Sequence, residues 1–178
     1  MTATTRYSLI YGLIAGLVLI AFITVIGLLH DKVDFVATMT FGFAVMLVAL
    51  SFVFVGVKRY RDIEQGGVIR FGKAFALGLA IALIAALIYV LAWEAYLAIT
   101  DYRFMEDYAA RSLADAREAG KSATDLAAMR AEFDKLIVQY DNPAYRMPMT
   151  FVEIAPVGLI VALVSAALLR NPRLLPAR

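Results

Sequence analysis

Four uncharged apolar stretches constrain this chain more than any other feature: Tyr7 to Leu29, Phe35 to Val57, Ala74 to Trp93 and Ile154 to Leu169. The first two are 23 residues each. A helix rising 1.5 Å per residue needs about 20 residues to cross a hydrocarbon core of roughly 30 Å. The fourth stretch is shorter, but extending it back to Met147 adds a single charge, Glu153, and restores a spanning length. Backbone amides in lipid must find partners within their own segment, and the long runs lack the alternation of barrel strands. The expected fold is therefore all-α: a four-span transmembrane helical bundle forming one membrane domain over residues 1–178. Its spans fall near 7–29, 35–57, 72–100 and 150–169.

Composition agrees. Hydrophobic residues make up 62% and charged residues 18% of the chain, outside the usual balance of a soluble domain. A net charge of +2 is too small to suggest a nucleic-acid partner. Cysteine is absent, which removes disulfides, thiolate metal sites and a cysteine nucleophile. The first apolar run is too long for a signal-peptide core, only Arg6 precedes it, and no A-x-A pattern follows, so it reads as a retained span.

An even number of spans puts both termini on one side. That side holds residues 1–6, a basic loop 58–73 and the tail 170–178, with nine basic residues in 31 positions. The other holds 30–34 and 101–149, with eight in 54. Basic density favours both termini in the cytoplasm. The segment 101–149 is then extracytoplasmic. Phe104, Tyr108, Ala109, Leu113 and Ala116 recur at helical spacing before Gly120, a C-cap candidate. Ser122 followed by Asp125 fits a helix start, and Leu126, Met129, Phe133, Leu136 or Ile137, and Tyr140 form a second stripe ended by Asn142-Pro143. These signals predict a helical hairpin. Only Glu94 and Asp101 interrupt the apolar sequence from Trp93 to Tyr102, so the third span is free to run on into it. Thr150-Phe-Val-Glu153 resembles a capping box at the start of the last span, which Pro156 should bend and Asn171-Pro172 should end.

Two groups of residues are candidates for function. His30, Asp31, Asp34, Glu94, Asp101 and Glu153 all fall at the outer ends of spans, where an imidazole among carboxylates could bind a divalent cation or relay protons. Solvated interfacial charges and a helix cap account for the same residues more plainly. Glu94 stands apart because it follows Trp93 inside an apolar helix, and ionisable groups within membranes are costly and tend to be functional. It either faces the bundle, near His30 or the start of the last span, or anchors at the headgroups. On the inner side, Lys58, Arg59, Arg61, Arg70 and Lys73 flank two spans and suit anionic lipid headgroups. Small-residue stripes (Gly12 and Gly16; Ala74, Gly78 and Ala82; Gly158, Ala162 and Ala166) allow close helix approach, within one monomer or between copies.

Tyr60-Arg-Asp followed by Gly66-Gly67, then Phe71-Gly-Lys-Ala-Phe and Gly78, resembles the signature of the bacterial membrane-protein family known as domain of unknown function 4199. The resemblance covers nearly the whole chain and implies a bacterial inner-membrane protein. It carries no activity and no site residues.

Catalysis is not expected. There is one histidine and no His-Glu-x-x-His, Gly-x-Ser-x-Gly, phosphate loop or cofactor fingerprint. Transport needs polar groups near mid-membrane, whereas the central thirds of the runs are nearly all Leu, Ile, Val, Ala, Gly and Phe. The leading expectation is a scaffold or accessory subunit binding another envelope protein, or another copy, without a cofactor. The alternative is a small transporter or lipid-handling protein using the outer carboxylates.

Overall fold

The computed structural model describes residues 1–29 and 39–176. Within them the chain forms six helices and no strand: α1 (Ala3–Leu29), α2 (Met39–Glu64), α3 (Phe71–Ile99), α4 (Phe104–Glu118), α5 (Ala123–Tyr140) and α6 (Pro143–Leu169). Four of these, α1, α2, α3 and α6, are long and apolar enough to cross a membrane. The all-helical, four-span reading of the sequence holds. The chain divides into two compact units. One comprises Met1–Ala92 with Phe151–Arg178, the other Trp93–Thr150. Both α3 and α6 pass from one unit into the other.

In the first unit α3 is the hub, with half of its most apolar window buried against 33–39% for the other three. Leu77, Ile81 and Ala85 are fully enclosed. Small residues make this possible. A Cβ added at Gly16 of α1 would lie 2.6 Å from Ile88 Cδ1 of α3, and one at Gly56 of α2 would lie 2.7 Å from Ile81 Cδ1. A Cβ at Gly78 of α3 would lie 3.3 Å from Ala162 Cβ of α6, a looser but still close approach. The small-residue stripes are thus occupied by packing inside one chain, the close approach that replaces the hydrophobic drive where lipid is the solvent. Leu13, Leu17, Val48, Leu87, Leu91 and Ile160 remain exposed on the outside, as apolar helices in lipid require.

One end of this unit is tied by polar contacts. Tyr60 of α2 packs edge-on against Tyr7 at 5.4 Å, and its hydroxyl pairs with Thr4 at 3.2 Å. Arg6 bonds Glu64 at 2.7 Å. Arg61 is wholly buried. Its guanidinium donates to Asp62 and to the carbonyls of Leu169, Leu174 and Leu175, closing the C-terminus of α6, where helix carbonyls have no partner of their own.

The second unit contains the end of α3, the α4–α5 hairpin and the start of α6. Gly120 closes α4 at φ +77°, with Lys121 N–H donating to the Ala116 carbonyl, a Schellman ending that favours glycine. Ser122 caps α5 by accepting from Asp125 N–H at 3.1 Å. Tyr108 and Phe133 meet edge-on at 6.0 Å across the hairpin.

Two helix boundaries differ from the sequence reading, and a third, which that reading left open, falls where the expected span ends. The third span does not run into the hairpin: α3 stops at Ile99, and Thr100–Arg103 turns the chain. The last helix begins at Pro143, not near 150. Asn142 Oδ1 accepts from Ala144 N–H, and proline at the first helical position has no N–H to orphan. Asn142-Pro143 therefore opens α6 as well as ending α5. Thr150 consequently lies inside α6, where its hydroxyl bonds the Arg146 carbonyl four residues back, so Thr150 and Glu153 form no capping box. The α2 helix continues past the expected 57 to Glu64, carrying half of the basic loop.

Candidate functional site

Glu94 points at a partner. The last turns of α3 and the first turns of α6 face each other within the second unit, and the two carboxylate oxygens of Glu94 accept from Nε and Nη2 of Arg146, each at 2.7 Å. This two-point geometry is the strongest form of side-chain ion pair, because the planar guanidinium fork matches the carboxylate. Arg146 is 3% exposed and Glu94 19% at the side chain. The remaining donor of the guanidinium, Nη1, bonds the carbonyls of Tyr140 at 2.9 Å and Asp141 at 3.2 Å. Both end α5, so the cation also meets the negative end of that helix. The Tyr102 ring lies 4.9 Å from the guanidinium carbon, within cation–π range.

An aromatic cluster surrounds the pair. Trp93, the neighbour of Glu94, donates its indole N–H to the Tyr140 hydroxyl at 2.8 Å and meets Phe104 edge-on at 4.8 Å. Leu97, Met105 and Tyr140 are buried beneath, with Leu136 and Ile137 packed against them. Asp101 and Tyr102 adopt left-handed conformations at φ +52° and +57°. For residues bearing a Cβ this costs roughly 1–2 kcal/mol each, least for aspartate.

Of the outer candidates, Glu94 alone enters this network. Asp101 is exposed at the turn, and Glu153 is exposed on α6 in the other unit. His30, Asp31 and Asp34 lie outside the described residues. Among the described residues no group of three or more His, Cys, Asp or Glu side chains converges as a metal site. On the basic side, Arg59 and Arg70 are exposed, Lys58 pairs with Asp62, and Lys73 bonds Gln65 beside the Tyr60 ring. Arg61 is a correction: it is enclosed by protein and its donors are spent on Asp62, the last residue of α6 and the segment that follows it, so it has no surface for lipid headgroups.

Arg146, Tyr102 and Tyr140 were missed as site residues. A usable signal existed for Arg146. Once α6 starts at Pro143, Arg146 is the one cation in a helix whose only other charge is Glu153, and a charge so placed calls for a partner of opposite sign. Glu94 is the acid on the matching helix.

These features define a helical protein of the multi-pass membrane class, with a small two-helix element carried between its third and fourth apolar helices. The chain belongs to the family described as Protein of unknown function (DUF4199), which matches residues 10–171. No curated protein and no solved structure matches it.

Proposed function

We propose that this protein is a non-catalytic accessory subunit or scaffold of the bacterial inner membrane, with both termini in the cytoplasm. In this reading the α4–α5 hairpin faces the extracytoplasmic side and docks another envelope protein. The observation that carries it is the Glu94–Arg146 pair. A transporter or proton relay built on Glu94 needs that carboxylate available, whereas here both its oxygens are engaged by one guanidinium. An ion pair closed in this way suits a fixed presentation of a binding element. The outward faces of the hairpin are available for a partner, with Val138 72% and Tyr108 50% exposed. Arg59 and Arg70, exposed in the first unit, meet anionic headgroups and hold the orientation.

The test uses site-specific photocrosslinking in cells. A photoreactive residue at Val138 should give a discrete protein adduct, identified by mass spectrometry, while one at lipid-facing Val48 should not. Adducts no different between the two positions would end the scaffold reading. Orientation is read separately: an impermeant thiol reagent on intact cells should modify a cysteine introduced at Ser122 and not one at Gln65. The reverse pattern overturns the topology.

A further inference from the structure

The turn between α3 and α4 bends the chain without the residues that ordinarily make such a corner. From Trp93 to Ala119 there is neither glycine nor proline. The end of α4 shows what such a corner ordinarily uses. There Lys121 N–H reaches back to the Ala116 carbonyl at 3.1 Å and Gly120 takes the left-handed position. The end of α3 repeats this bond, Tyr102 N–H to the Leu97 carbonyl at 2.8 Å, but Asp101 stands in the glycine's place and Tyr102 is left-handed as well. Two consecutive side-chain-bearing residues in this conformation persist only where the surroundings impose it.

Those surroundings are specific. The strained conformation of Tyr102 sets its ring against the guanidinium of Arg146, and Glu94 and the α5 carbonyls hold that guanidinium in place. The contact of Trp93 with Phe104 also favours the bend. Against them stand the backbone strain and a helix-compatible sequence on both sides of the turn.

We propose that Thr100–Arg103 is a latched hinge. With Glu94 and Arg146 paired, the corner is bent. With the pair released, α3 continues through the corner into α4 as one helix and the hairpin changes direction. The device is a two-state element whose balance one local interaction sets.

The chain has no native cysteine, so spin labels can be placed uniquely at exposed Ala95 and Asp115 and their separation measured by pulsed electron resonance, using the full chain in lipid nanodiscs. A straight helix would put these positions about 30 Å apart. The wild type should give one distribution, shorter than that. Glu94→Gln should add a component near the straight-helix distance, in a tenth of the molecules or more. Asp101→Ala should do the same with the ion pair untouched, because alanine tolerates the left-handed position less well than aspartate. Asp101→Gly, which relieves the strain, should stay bent and should return Glu94→Gln to the single short distribution. If Asp101→Ala retains the wild-type distribution, the hinge is refuted, whether or not Glu94→Gln folds.

Discussion

Arg146 spends its guanidinium on four groups: two carboxylate oxygens of Glu94 and the carbonyls of Tyr140 and Asp141. One side chain at the start of α6 thereby holds the end of α3 and the end of α5.

Removing either partner should therefore be costly, and unequally so. Arg146→Ala deletes all four bonds and the Tyr102 contact, whereas Glu94→Gln keeps shape and some hydrogen bonding. Breaking a largely buried pair costs about 3–5 kcal/mol. We expect Arg146→Ala to approach that figure in reversible unfolding in detergent and Glu94→Gln to cost less. Arg146→Lys should fall between, since lysine keeps the charge without the fork. Equal, small effects from all three would show that the pair does not hold the unit.

Arg61 and Arg59 are two residues apart and should behave in opposite ways. Arg61→Ala empties a fully buried position and removes the donor from the carbonyls of Leu169, Leu174 and Leu175, a loss of several kcal/mol. Arg59→Ala is a surface change and should fall within about 0.5 kcal/mol. Thermal melting in detergent measures both. A neutral Arg61→Ala would contradict its role as the closure of α6.

Glycine substitutions test the hub role of α3. Gly16→Ala drives a methyl to within 2.8 Å of three atoms of Ile88 and should destabilise by roughly 1–3 kcal/mol. Gly72→Ala meets nothing within 4 Å. It should be neutral or stabilising by up to about 1 kcal/mol through helix propensity. Equal melting temperatures for the two variants would remove the close α1–α3 contact.

The hairpin can be probed by limited proteolysis. Phe133 packs on Tyr108 between α4 and α5, while Arg130 is exposed. Phe133→Asp should expose residues 104–140 to cleavage far faster than Arg130→Asp. Similar cleavage rates would mean that α4 and α5 do not fold as a pair.

Much of this architecture is local and could be read residue by residue. Apolar runs of spanning length identified the four long helices because lipid leaves the backbone no other way to satisfy its hydrogen bonds. Gly120 and Ser122 marked the hairpin turn because their own conformational and capping chemistry decides it. Three features were illegible for a common reason. The break at Thr100–Arg103 has neither glycine nor proline to announce it and depends on Arg146, brought from α6 against Tyr102. The pairing of Glu94 with Arg146, 52 positions apart, exists only once α6 is known to begin at Pro143. Arg61 looked like its basic neighbours, and its burial follows from the C-terminus of α6 folding onto it across more than 100 residues. The identity of the solvent and the existence of each long helix are properties of single segments. Which charges meet water or lipid, and which are consumed inside the protein, depends on where distant helix ends come together.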